Sequence, residues 1–235
     1  MEVEQLRPNG QRAKNAIILI WVILVLEIIS FISGCFEYDL LRTIANGGEF
    51  SMEVANANDL RQQVITIFYL IAYIISVVTF IQWFRRAYFN LHLKVNSLVH
   101  NDVWAAGSWF VPIINFYRPY QIMKEMYRET KRLLLDNGIS LNRDFTANAL
   151  GWWWTLWIIS AFIGRFVFRF SLKAETVAEL TISTVADMVM NVIGILLALI
   201  TIVVIKDYAK VEPLLYEVGN DKENATNDRA AGLVN

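Results

Sequence analysis

Four long stretches of the chain are apolar almost without interruption, and the polar positions crowd into the segments between them. Val64–Phe84 carries no charge in 21 residues. As a helix it rises about 31 Å, the depth of a bilayer core. In Ala16–Phe36 the single charge is Glu27, and Val185–Ile205 is broken only by Asp187 and Asn191. Trp152–Phe170 is the weakest of the four, because Arg165 and Arg169 stand in its second half. Its first 13 residues are uncharged, and an arginine stem is long enough to carry its head to an interface. The pattern predicts an all-α integral membrane bundle of four transmembrane helices. The expected organisation is an N-terminal tail over 1–15, a single membrane domain over 16–210, and a disordered polar tail over 211–235.

A fifth apolar stretch, Val103–Tyr117, is short for a span and contains Pro112. It suits a re-entrant or interfacial segment within a cytoplasmic or interfacial segment over 85–150. Downstream, Ile122, Met126, Thr130 and Leu133 recur at helical spacing, with Lys124, Arg128, Lys131 and Arg132 elsewhere and Asn137-Gly138 as a stop. That is an amphipathic helix, suited to a membrane surface, to a partner, or to the protein's own inner face.

Charge placement orients the chain. Basic residues gather before the first span, between the second and third, and after the fourth, while 37–63 is acid-rich and 171–184 has only Lys173. Four crossings with both termini in the cytoplasm put every basic-rich piece inside. A fifth crossing at 103–117 would expel the six basic residues from Arg118 to Arg143. All eight tryptophans then fall at or near the cytoplasmic interface, where tryptophan is favoured. A lipoprotein-type cleavage before Cys35 is the competing reading of the N-terminus. The length of the apolar stretch and Glu27 within it argue against that.

Composition narrows the function classes. Hydrophobic residues make up 56% of the chain and the mean hydropathy is +0.40. A net charge of −1 gives no basic field for nucleic acid. One cysteine excludes an internal disulfide, and two histidines, His92 and His100, are too few for a histidine-based metal site. There is no nucleophile–base pair and no phosphate loop, so no catalytic residue, cofactor or metal is expected.

The residues singled out are the intramembrane charges Glu27, Arg165, Arg169 and Asp187. A charge near the bilayer centre costs about 2.5–3.5 kcal/mol and needs an offset. Counting helical rise, Glu27 and Arg165 fall at similar depth, as do Arg169 and Asp187, which predicts two ion pairs. These either fix helix register or line an ion or ligand path. On the second span Thr66, Tyr69, Tyr73 and Ser76 form a polar stripe, expected to hydrogen-bond inside the bundle or to line a small cavity.

The arginine–aromatic–asparagine stretch with Arg86 and Asn90, then Trp104, then Trp109-Phe110-Val111-Pro112-Ile113-Ile114-Asn115, then Arg118-Pro119-Tyr120-Gln121 form a combined motif. Over residues 64–210 it resembles a bacterial family of membrane proteins, the domain-of-unknown-function family numbered 4328. The resemblance implies a multi-span protein of the bacterial inner membrane and assigns no activity. The reading favoured on sequence is a non-enzymatic membrane module, a scaffold, assembly factor or sensor acting through its cytoplasmic face. A small oligomeric transporter or channel comes second and a membrane enzyme last. The expected partners are the lipid bilayer and a protein or a further copy of the chain.

Topology is directly testable. Cysteine labelling should reach 38–60 and 172–183 from outside intact cells, and 120–148 and the C-terminus only after permeabilisation. Labelling of 120–148 from outside sinks the four-span arrangement.

Overall fold

The computed structural model describes residues 5–141, 145 and 148–218. It is 80% helical, with no strand among the described residues. The helices are α1 (Gly10–Ala45), α2 (Met52–His92), α3 (Val103–Gly107), α4 (Arg118–Asp136), α5 (Asn148–Ser171) and α6 (Val177–Val211). Short 3-10 turns cover Ile114–Phe116 and Glu212–Tyr216. Four helices, α1, α2, α5 and α6, are long and apolar enough to cross a membrane.

These helices overrun the apolar stretches. The turn between α1 and α2 is 46–51, where a connection over 37–63 was expected, and 172–176 replaces 171–184. Span counting stops at the first charge, but a helix backbone satisfies itself whatever its side chains carry. Glu37, Asp39, Arg42, Glu53, Asp59 and Arg61 are therefore helical. At the start of α6 the Thr176 hydroxyl accepts from the Glu179 N–H at 3.2 Å, and Glu179 accepts from the Thr176 N–H at 3.0 Å. This reciprocal cap sets the helix start. Gly138 ends α4 with φ +75°, and the Ile139 N–H reaches back to the Leu134 carbonyl at 2.9 Å. That is the stop expected from Asn137-Gly138.

The chain divides into two compact units where one membrane domain was expected. One draws on residues within 17–78 and 152–202: most of each of α1, α2, α5 and α6. Its outward side chains are apolar, with Ile18, Phe68 and Phe166 each more than half exposed. A soluble bundle buries such residues, and an apolar outer surface of this kind is what a multi-pass membrane protein would present. Within it the Trp153 indole N–H donates to Thr201 at 3.0 Å, and Trp154 stacks on Trp157 at 4.7 Å.

The other unit draws on residues within 1–16, 79–151 and 203–235. Its core is dense and aromatic, with Trp83, Phe84, Tyr88 and Tyr208 fully buried. Here α4 turns Ile122, Met123, Met126, Tyr127, Thr130 and Leu134 inward and leaves Lys124, Arg128, Lys131 and Arg132 exposed. Its apolar stripe thus covers the protein's own core, one of the uses expected of it. Residues 103–117 fold as α3, a bend and a 3-10 turn, too short and broken to cross a membrane. Trp83, Trp153 and Trp154 are buried packing residues, so interface preference alone does not explain the tryptophans.

A buried carboxyl joins three distant segments of this unit. Glu212 accepts from Asn9 Nδ2 at 2.9 and 3.1 Å and from Asn90 Nδ2 at 2.8 Å. Asn90 in turn brackets the Arg7 backbone, accepting from its N–H at 3.0 Å and donating to its carbonyl at 2.9 Å. The tail expected to be disordered over 211–235 therefore begins as ordered chain, with Glu212, Leu215 and Val218 buried. Its remainder, 219–235, lies outside the described residues. The N-terminal tail expected over 1–15 is likewise helical from Gly10, with Asn9 and Ala13 buried.

Replacing Asn90 tests this junction. Asn90→Ala leaves a buried carboxylate short of a donor and should cost about 1–3 kcal/mol of stability. Asn90→Asp should be worse, since it sets like charge beside Glu212. Denaturant unfolding in detergent reads both. A loss under about 0.5 kcal/mol, the size of a neutral surface change, would show that the network carries no weight.

Candidate functional site

The unit built from 17–78 and 152–202 holds a half-open cavity of about 560 Å³, lined by side chains from α1, α2, α5 and α6. Glu27, halfway along α1, is its most deeply placed charge and is 5% exposed. Every backbone N–H nearby is spent on the helix, so donors must come from side chains of other helices. Tyr69 of α2 supplies one, its hydroxyl donating to Glu27 Oε1 at 2.7 Å. Asn191 of α6 supplies another. With its amide nitrogen turned toward Glu27 it donates to Oε2 at 2.9 Å, and its oxygen accepts from the Phe31 N–H at 3.3 Å. Gly194, one helical turn beyond Asn191, makes room. A Cβ there would overlap the Glu27 carboxyl oxygens where they stand, so glycine lets the carboxyl lie against α6 and a larger residue would push it aside.

Toward the α1–α2 and α5–α6 turns the lining stays acidic. Glu37 accepts from Gln62 Nε2 at 2.5 Å, and Asp187 lies within electrostatic reach of Glu37. Arg61 is the nearest cation to Glu37. Its guanidinium is engaged by Ser33 at 2.9 Å and Asn58 at 2.5 Å, and it does not line the cavity. Ser30, Thr66, Ser160 and Thr184 add hydroxyls, and Tyr73 stacks on Tyr69 with ring centroids 6.1 Å apart. The described lining holds no lysine, arginine or histidine.

The expected ion pairs are not formed. Glu27 meets Tyr69 and Asn191, not Arg165, and Asp187 does not pair with Arg169. Both arginines are exposed. Equal depth along two helices says nothing about rotation, and neither arginine is among the residues lining the cavity that Glu27 and Asp187 face. Of the polar stripe, Thr66, Tyr69 and Tyr73 line the cavity, and Ser76 is buried. Sequence reasoning passed over Gly194, and treated Asn191 only as an interruption. The available signal was spacing, for Asp187, Asn191 and Gly194 recur at steps of three and four and share one face of α6.

The motif residues of the resemblance belong to the other unit. Asn90 is in the Glu212 network described above, and Arg86 lies within electrostatic reach of Glu212. Arg118 donates to His100 Nε2 at 2.9 Å, so the ring proton sits on Nδ1, which faces Glu125 at 3.7 Å. Glu125 also accepts from the Val99 N–H and the Tyr88 hydroxyl, each at 2.7 Å. Trp109 packs edge-on against Phe80 at 5.6 Å, Pro119 is buried in the first turn of α4, and Asn115 Oδ1 is buried without a hydrogen bond. Trp104, Phe110 and Ile113, which follows Pro112, are exposed, and Ile113 holds a positive φ of 68°. That conformation is costly for a β-branched residue. The motif thus mixes packing residues with an exposed apolar loop. Among the described residues no group of three or more His, Cys, Asp or Glu is arranged to hold a metal.

Double-mutant cycles separate the observed partners from the expected ones. Glu27→Gln with Tyr69→Phe should show a coupling of about 0.6–1.7 kcal/mol, the range for intramembrane hydrogen bonds. Glu27→Gln with Arg165→Gln should add within about 0.5 kcal/mol. Strong coupling to Arg165 overturns the assignment.

No curated protein and no solved structure matches the chain. The family match runs over residues 46–210. It reaches further toward the N-terminus than the likeness read from the motifs, taking in the α1–α2 turn and all of α2. The match covers well over half of the sequence, and the chain belongs to the family described as Domain of unknown function (DUF4328).

Proposed function

We propose that the protein is a bacterial inner-membrane protein that crosses the bilayer four times with both termini in the cytoplasm. In this reading it acts without catalysis, by binding a small solute inside its four-helix unit, as a carrier or a sensor. The observation that carries the proposal is the cavity. Polar side chains from all four helices converge on it within segments that are otherwise apolar, and intramembrane polar groups are expensive to keep. Its volume is in the range of small-molecule sites, about 300–1,000 Å³. Register alone is served by the Glu27 contacts. It gives no reason for the further polar groups that face the cavity around Asp187 and Thr66.

Action through the cytoplasmic face, favoured on sequence, loses one support because α4 spends its apolar stripe on its own core. It keeps another in the exposed apolar loop at Phe110 and Ile113, which suits contact with the inner leaflet. Bilayer contact there and solute binding in the cavity are compatible.

A thermal-shift screen in nanodiscs, run over amines, amino acids, sugars, carboxylates and uncharged aromatics, tests the proposal. A ligand at 100 times its dissociation constant stabilises by about 2.7 kcal/mol, so at least one class should raise the melting temperature by several degrees. Ala161→Phe, which adds bulk to the cavity wall, should remove the shift while the unliganded protein still melts cooperatively. Shifts that survive Ala161→Phe, or a screen with none, reject the cavity as a binding site.

A further inference from the structure

The lining of the cavity points to the charge of its occupant. Three carboxyl side chains, Glu27, Glu37 and Asp187, face one space from α1 and α6. Two of them are partly provided for, Glu27 by Tyr69 and Asn191 and Glu37 by Gln62. These partners are neutral and leave charge uncompensated. Asp187 has no hydrogen-bond or ion-pair partner among the described residues. Among the described residues Arg61 is the cation within electrostatic reach of Glu37, and its guanidinium is hydrogen-bonded by Ser33 and Asn58 outside the cavity lining. Carboxylates grouped at one site repel one another, and a cation that joins them removes the repulsion.

The rest of the wall is unlike an inorganic ion site. The carboxyls are not arranged as a metal cluster, and a space of about 560 Å³ is far larger than a bare ion needs. Tyr69, Tyr73 and Trp157 bring aromatic rings and Met188 and Met190 bring thioethers. Aromatic faces attract cations and receive apolar bodies, and thioethers adapt to irregular shapes.

We propose that the cavity takes an organic cation, an ammonium head directed to the carboxyls of Glu37 and Asp187, which lie within electrostatic reach of each other, with an apolar or aromatic body against the aromatic wall of Tyr69, Tyr73 and Trp157. The proposal rests on the reading of the cavity as a binding site. The attraction of a carboxylate for an ammonium head is electrostatic and needs no N–H, and aromatic faces add to it. Gly194 lets the Glu27 carboxyl lie against α6, which leaves the middle of the cavity to the ligand body. An anion would meet only repulsion. A neutral ligand of the same shape would fill the space and leave the carboxyls as they were.

Three probes of one shape and different charge decide it: benzyltrimethylammonium, its uncharged carbon analogue neopentylbenzene, and the anion phenylmethanesulfonate. Each is titrated against the full chain in nanodiscs of phosphatidylcholine alone, so that the lipid adds no net charge. Calorimetry and the change in tryptophan emission report binding. Benzyltrimethylammonium should bind at least tenfold more tightly than either analogue. Asp187→Asn and, separately, Glu37→Gln should each weaken it several-fold while leaving the melting temperature of the unliganded protein within a few degrees. If Asp187→Asn fails to fold, Glu37→Gln carries the comparison. Equal or tighter binding of the neutral or anionic probe overturns the cation assignment and leaves the cavity standing as a site. No binding by any of the three, together with a blank solute screen, overturns both. Cation binding unchanged in both variants places it elsewhere and overturns the proposal.

Discussion

A carboxyl group set halfway along an apolar helix must find hydrogen-bond donors that its own backbone has none left to give. Glu27 imposes that condition on its unit. Satisfying it requires Tyr69 to face α1 from α2, Asn191 to face it from α6, and glycine at 194 so that the carboxyl clears the α6 backbone. Three helices are thereby fixed in rotation by one side chain. Each such bond is worth little when formed, about 0.6 kcal/mol on average between membrane helices. An unsatisfied polar group in the same place costs several kcal/mol. That asymmetry, more than the strength of any one contact, excludes other rotations of α1.

The other unit meets the same condition by other means. Glu212 takes two asparagine amides, and Glu125 takes a tyrosine hydroxyl, a backbone N–H and a histidine edge. Glu212 stands in the turn that follows α6, and Glu125, midway along α4, reaches a free backbone N–H at Val99 in the connection between α2 and α3. The networks also reach across long sequence separations, from Asn9 to Glu212 and from Tyr88 to Glu125. They fix segments that helical propensity alone would leave independent. Aromatic packing of Trp83 against Tyr208, and of Tyr127 against Phe145, fills the space between them.

Much of the architecture could be read from the chain because run length and stop signals are local properties. The four long apolar helices, the amphipathic face of α4 and its end at Gly138 all follow from sequence that is local to each element. Helix ends within charged sequence could not be read that way, since Glu37 and Arg61 are as compatible with helix as with loop. The cavity was half legible. Glu27, Asp187 and the stripe of Thr66, Tyr69 and Tyr73 were visible as polar positions on apolar helices. Their assembly was not, because it depends on helix rotation, which depth arithmetic cannot supply. Gly194 carried only the faint signal of its spacing from Asp187 and Asn191, because a glycine in an apolar run is unremarkable until a side chain from another helix is found occupying its missing Cβ. The Glu212 network was hidden by composition, as a polar, proline-led stretch looked like the start of a tail.

The failure of the expected ion pairs has a cause that also accounts for the character of the cavity. Arginine carries its charge on a long stem, and glutamate and aspartate carry theirs on short ones. In the proposed bilayer an arginine on an outer helix can bring its guanidinium to the headgroups and recover solvation there. A carboxyl halfway along a span cannot travel that far, so it must be solvated by neighbouring helices where it stands. Arg165 and Arg169 are exposed, whereas Glu27 is buried among polar side chains. That sorting by reach separates Glu27 from the two arginines, whereas Asp187, nearer the α5–α6 turn, is itself exposed. The result is a cavity wall with three carboxyls and, among its described residues, no lysine, arginine or histidine.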